Sequence, residues 1–297
     1  MPVSNSNTLI DNHLKEAAES SVSGSKLAIV PRRVKFDFAD FDSPFYYQNN
    51  CCISAMWVAL SASFPAGEGE FIKSVRLFED QITDPKLKQE VKNFVHQEAH
   101  HSLQHKQVNK MFDELGYDTA ALNRFFIDKL NEREQQWTSE RRLARTVCAE
   151  HVTAVMANHA LTHPEHMAHF PTSFRNLFLW HAIEEIEHKS VAFDVYTQCV
   201  NDKKLLHKEY KLFTRFEFPF NVYMSSRFLL KKMGRRATWK ERFGLRRSLY
   251  GKGGLISDMR PLYKSFLNDG FHPWDHDDSS LVAHWKEKLS PFFVDDH

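Results

Sequence analysis

Apolar positions along this chain recur mostly three and four residues apart, the spacing of helices that bury one face. Residues 50–63 are apolar and helical in character, and Pro65 is expected to break or kink that helix. A new helix is predicted from about residue 67 to 81. Asp84 and Pro85 then restart the pattern, Asp as N-cap and Pro at the first helical position. That helix runs to about residue 115, with Gly116 as a natural stop. Further helices are predicted over residues 119–136 (capped by Asp118), 139–161 and, after a loop rich in His and Pro, 173–200. Residues 205–233 read as helical with an interruption at Pro219, and residues 281–289 as a last short helix. Two stretches depart from this pattern. Residues 1–27 are polar and rich in Ser, which predicts a mobile tail with at most a short helix near residues 11–19. Residues 34–45 alternate apolar and polar positions, as in a short strand or an extended arm packed on a helical body.

Composition agrees with long helices. Gly (10) and Pro (11) are scarce in 297 residues, and the 25 Phe suit the filling of space between helices. A hydrophobic fraction of 42% is enough for a real core. The expected organisation is a tail over residues 1–30 and one helical domain over residues 31–297, with its core at about 50–200 and a helical extension at 201–297. A formal net charge of +1 carries no global mark of a nucleic-acid binder. Cys51, Cys52, Cys148 and Cys199 fit no metal-binding CxxC spacing, and the polar N-terminus shows no cleavable signal. A cytoplasmic location with reduced thiols is the expectation. No apolar run nears the roughly 18 residues that span a bilayer.

Histidine changes the picture. Eleven of the 17 His fall between His96 and His188, in the same region as two short motifs, Glu98-x-x-His101 and Glu185-x-x-His188. Residues three apart on a helix share a face. Two such pairs, joined by one Glu from each of two further helices, form the ligand set of ferritin-like di-metal carboxylate proteins. Glu68 and Glu150 precede the two motifs in the required order. Depth supports the grouping. Glu68 lies 16 residues before Asp84 and Glu98 lies 14 after it, so an antiparallel hairpin brings them level. Glu150 lies about 11 residues before the second turn and Glu185 about 12 after its restart at Ser173, which levels the second hairpin too. The fold class predicted is therefore all-α: a ferritin-like four-helix bundle with an N-terminal arm and C-terminal helices.

Nearby groups compete for roles. His105 lies one turn beyond His101, and His181 one turn before Glu185; each is open as an extra ligand, a partner of a ligand, or a core histidine. Glu184 is an alternative to Glu185, which is preferred because it repeats the spacing of Glu98 and His101. Glu187 and His100 point off that face and read as surface groups or outer partners. Asp194 reads equally as a group that orients a ligand His or as a surface residue, and Glu70 should face elsewhere. Trp57, Phe64, Phe94, Phe174 and Trp180 lie near the ligand turns and are open as pocket lining or as plain core. Residues 227–252 carry ten Lys or Arg, from Arg227 to Lys252, against one acid, Glu241. The preferred reading is a solvated face paired with the acidic loop Asp275 to Asp278; contact with anionic lipid, a phosphate-bearing substrate or nucleic acid is the alternative. His272, Asp275 and His276 form a weaker candidate for a second metal site.

Several stretches resemble a bacterial family labelled "predicted metal-dependent hydrolase". They are Phe64-Pro65-Ala-Gly-Glu68-Gly-Glu-Phe71, Ser74-Val-Arg76, Gln97-Glu98-Ala-His-His101, Ala149-Glu150-His151 and Trp180-His181-Ala-Ile-Glu-Glu185-Ile-Glu-His188-Lys-Ser-Val-Ala-Phe-Asp194. The resemblance covers about residues 30–280 and implies Glu68, Glu98, His101, Glu150, Glu185 and His188 as metal ligands. Hard carboxylate oxygens with two imidazoles suit iron or manganese, singly or mixed, with zinc as a further option. The leading expectation is a pair of irons in an oxygenase that uses O2 on a small organic substrate, served by an electron-donating reductase. The alternatives are a hydrolase with a metal-activated water, and a metal-storage or redox-sensing protein without a substrate. A homodimer is open, and no nucleic-acid partner is expected.

Overall fold

Side chains that cap backbone N–H groups set the starts of the first four helices. Asn50 caps α1 (Cys51–Arg76), accepting from the N–H of Cys52 and Ile53. Asp84 caps α2 (Pro85–Glu114), Asp118 caps α3 (Thr119–Gln136) and Thr138 caps α4 (Ser139–Thr162). Helices α5 (Thr172–Glu187) and α6 (Val191–Cys199) follow. The computed structural model describes residues 24–294, and among them the chain is all-α apart from one pair of two-residue strands. The tail expected over residues 1–30 lies outside the described residues as far as residue 23, as does the short helix near residues 11–19. Gly24 to Val30 are held against the body: Gly24 N donates to Asp194, Asn93 to the carbonyl of Ile29, and Gln97 to that of Val30.

Three helix predictions need correction. Pro65 does not end its helix; α1 is continuous through it. The proline leaves the carbonyl of Ser61 without its intrahelical donor, and Asn109 of α2 supplies one at 3.0 Å. The helix expected over residues 173–200 is two helices, broken at His188–Ser190. Buried Lys189 holds that break, with Nζ 2.6 Å from Asp278 and 4.1 Å from the centre of the Trp274 ring. The interruption expected at Pro219 falls earlier. A π turn, Phe213–Glu217, joins α7 (Lys203–Leu212) to α8 (Phe218–Lys232), and Pro219 sits in the first turn of α8.

Of the alternating stretch at residues 34–45, only the start is strand. β1 (Arg33–Val34) pairs antiparallel with β2 (Phe293–Val294), tying the two ends of the described chain together. The C-terminal layer also contains α9 (Trp239–Tyr250), α10 (Leu255–Ser265) and α11 (Ser279–Leu289); the first two are joined through residues 251–254.

Helix α1 packs on α2, α4 on α5, and the two hairpins meet through α1 with α4 and α2 with α5. Two apolar clusters fill the interior. One takes Ala62, Val108, Ala157 and Phe174; the other takes Val75, Val95, Cys148 and Val191. Along α1, α2 and α4 the stretch between the clusters carries Glu68, then Glu98, His101 and His105, then Glu150. The polar layer lies between two oily ones.

Candidate metal centre

The polar layer brings all six predicted residues to one place. His101 Nδ1 stands 3.4 Å from Glu98 Oε1 and 3.8 Å from Glu185 Oε1. His188 Nε2 stands 3.2 Å from Glu98, 3.4 Å from Glu150 and 3.8 Å from Glu185. His181 joins them, with Nε2 2.8 Å from Glu185 and 4.0 Å from Glu68. All seven are buried, with His181 the most exposed at 5%.

These groups are short of partners. Both oxygens of Glu68, Glu98 and Glu150 lack a hydrogen-bond partner, as do one of Glu185, Nδ1 of His101 and Nε2 of His188. A buried carboxylate without donors costs several kcal/mol in such an interior, roughly 1–3 or more per group. Proton affinities show the crowding. Burial, with Glu185 and Glu150 nearby, holds the Glu68 carboxyl well above the usual range, and burial and Glu150 do the same to Glu98. Burial and Glu185 push Glu150 up to about 7. Burial also works to raise Glu185, but His181 and His188 outweigh it and hold it low. Burial and the neighbouring His181 keep His101 neutral-leaning, well below the usual histidine range. For His188, burial acts downward, yet Glu150 and Glu185 overcome it and raise its pKa. Four carboxylates facing three imidazoles across such distances form a donor set for cations. Two dications would match the four negative charges.

Each imidazole is fixed from behind. His101 Nε2 meets Glu184 at 3.1 Å, and Glu184 is itself bound by Arg32. Glu185 thus faces the cluster while Glu184 backs a histidine. Burial, then Glu187, pushes Glu184 up to about 8 against the pull of Arg32. His188 Nδ1 meets Gln97 Oε1 at 2.9 Å, and Gln97 also donates to Glu187, which Arg32 and Lys286 hold. His181 Nδ1 meets His105 Nε2 at 2.8 Å, and His105 Nδ1 meets Ser61 at 2.9 Å. His105 thus backs His181, and with Glu68 and His181 it also forms a group close enough to hold an ion.

Other expectations are corrected. Glu187 is fully buried, which removes its surface reading. Asp194 is buried as well, and it holds His272 and Gly24 N instead of a histidine of the cluster. Glu70 does face elsewhere, onto Arg142. Phe94 and Trp180 wall the rings of His188 and His101, at 4.9 and 5.0 Å, and Phe174 lies in the apolar core; none of the three lines the cavity described below. His272 and His276 turn to Asp194 and Asp278 and do not converge. The acidic loop does not pair with the basic segment: Asp278 takes Lys189 and Asp277 takes Lys26. Arg32 and Gln97 are functional-looking residues that pattern alone misses. Only the adjacency of Gln97 to Glu98 hints at either.

A family model described as "predicted metal-dependent hydrolase" matches residues 30–277. The chain belongs to this family. The match covers every helix that contributes to the cluster, and its description agrees with the hydrolase alternative over the oxygenase expectation. No curated protein and no solved structure matches the chain. Access to the layer matters as much as its donors. A cavity of about 160 Å³ reaches Glu68, His181 and Glu185 between walls that include Phe64, Phe71, Phe126 and Val222. Lys129 and Arg133 also border it. A smaller cavity of about 50 Å³, lined by Trp57, Phe64 and Phe178 among others, reaches His181 and Glu185 from a second direction. Trp57 and Phe64 are thus the two predicted aromatics that do line space beside the cluster.

Proposed function

We propose that the polar layer is a two-metal reaction centre at the heart of a ferritin-like four-helix bundle. The observation that carries this reading is the set of buried carboxylate oxygens and imidazole nitrogens that face one another with no donor between them. Glu98 and Glu185, each close to histidines of both hairpins, would be shared between the ions. Glu68 and His101 would complete one ion's shell, with His181 as a seventh donor, and Glu150 and His188 the other. Glu184 and Gln97 would fix the two ligating rings.

The reaction this interior supports best is oxidation of a small, largely apolar molecule by O2, with iron as the metal. A bound iron pair supplies the O2 chemistry. The residues orient the substrate and keep water out: Phe64, Phe71 and Phe126 make the cavity wall apolar. Lys129 at the border suits an anionic group on that substrate. Insertion of one oxygen atom takes two electrons from the substrate; the other two and two protons, which turn the second atom into water, come from an external reductant such as a reductase. The second reading is hydrolysis by a metal-activated water, and the family description is the observation that favours it.

One experiment separates them. The protein is loaded with Fe(II) without air, exposed to O2 beside a zinc-loaded sample, and followed by an oxygen electrode and an ester-hydrolysis screen. Oxygen uptake by the iron form supports oxidation. Uptake of zinc alone, with no oxygen consumption and with ester turnover, overturns oxidation in favour of hydrolysis.

A further inference from the structure

Two helices of the C-terminal layer turn large apolar side chains outward. On the π turn and α8, Phe216, Phe220, Tyr223 and Met224 are all exposed, Phe216 at 66% and Phe220 at 62%. Their spacing of four, seven and eight residues places them on one helical face. On α9, Trp239, Phe243 and Tyr250 are exposed, Trp239 at 73%, with spacings of four and eleven that again share a face. Single exposed apolar residues are ordinary; seven in two helical stripes are not. Both helices pack on α1, so both stripes belong to the layer that covers it.

Charge surrounds these stripes. Of the ten cations between Arg227 and Lys252, Lys232 pairs with Asp118 and Arg235 with Glu241. Among the described residues the other eight make no ion pair. Arg242, Arg246 and Arg247 are exposed on α9 beside Phe243. Aromatic side chains interleaved with Lys and Arg on a helix lying flat are the makeup of an interfacial anchor. The apolar tips enter the acyl boundary, and the cations meet lipid phosphates and anionic headgroups. A second copy of this face would be repelled by its own charge. Nucleic acid would leave the apolar stripes in water. No helix among the described residues is long and apolar enough to cross a membrane, so the contact is with the surface.

We propose that α8 and α9 dock this protein on the surface of membranes that contain anionic lipid. The inner side of α8 borders the cavity through Phe218 and Val222. Docking therefore sets against the bilayer a helix that also borders the cavity reaching the cluster.

The test uses the full chain, loaded with metal, and sedimentation with lipid vesicles. Phosphatidylcholine vesicles with about a third phosphatidylglycerol should bind at least tenfold more tightly than phosphatidylcholine alone, and binding should weaken as salt rises. Two variant pairs, Trp239→Ser with Phe243→Ser and Arg246→Glu with Arg247→Glu, should each weaken it at least tenfold. Their melting midpoints and metal content should stay at wild-type levels, because all four side chains are exposed. Quenching of Trp239 fluorescence by brominated lipid adds a direct readout of insertion. Absence of binding to the anionic vesicles overturns the proposal, as does binding that neither variant pair weakens. So does a result in which the same variants abolish binding of a DNA duplex or self-association, while vesicles are not bound.

Discussion

The two Glu-x-x-His pairs look alike in sequence and differ in what surrounds them. Glu98 and His101 stand in the middle of an unbroken 30-residue helix, whereas His188 caps the end of its helix, where the chain turns at Lys189. Behind His101 stands a carboxylate, Glu184, anchored by Arg32; behind His188 stands a neutral amide, Gln97. The second pair also has His181, one turn earlier, pointing into the same layer. An arginine-anchored carboxyl and an amide orient and polarise their rings to different degrees. The lesson is that repeated motifs need not make equal positions: the two halves should hold their ions with different strength.

The largest expected effects remove what both halves share or need. Replacing the shared Glu98 by Ala should abolish loading of both ions, and His188→Ala should empty the one it holds with Glu150; a preparation of either that keeps two metals per chain would refute the ligand assignment. Next comes His181, which sits on the second hairpin but adds a donor to the shell that Glu68 and His101 complete. His181→Ala should leave one ion weakly held, while His105→Ala, one step farther out, should leave both in place, as read by metal content after dialysis. Equal losses from the two would remove the distinction. Smaller again are the backing groups: Gln97→Leu and Glu184→Gln should each weaken metal affinity about 10–100-fold, and in different halves. Arg32→Met should cost about 3 kcal/mol of stability in denaturant unfolding, because it leaves Glu184 and Glu187 with less counter-charge in the interior.

The smallest effect lies outside both halves. Burial would raise the Glu241 carboxyl, but bonds from Thr238 and Cys51 outweigh it and hold its pKa at about 2. A carboxylate with a depressed pKa contributes stability that is complete above its ordinary value and is lost as pH falls through about 2. Glu241→Gln should flatten that acid limb and cost roughly 0.5–1 kcal/mol at neutral pH, the size of a capping contact. An unchanged acid limb would show that the cap of α9 is not what titrates.

Helix starts and the membership of the polar layer are legible in the residues because both rest on short-range rules. Asn50, Asp84, Asp118 and Thr138 announce their helices, and spacing alone picks Glu98 with His101. What stays illegible depends on distant partners. Pro65 reads as a break because the donor that rescues Ser61, Asn109, comes from another helix. The turn after His188 is invisible because its anchor is Asp278, some ninety residues onward. Arg32 lies between the expected tail and the arm read at residues 34–45, where no pattern marks it, yet it organises two buried glutamates. Helix α9 hides behind its charge, since it buries no residue fully and leaves no clear apolar stripe inward.

Two metal ions in one buried layer would be seen by anomalous diffraction at the iron edge, on crystals of iron-loaded protein. Two peaks about 3.5–4 Å apart are expected among Glu68, Glu98, Glu150 and Glu185, with elemental analysis giving two irons per chain. A single peak, or none in protein that has been offered iron and manganese without air, would contradict a two-metal layer.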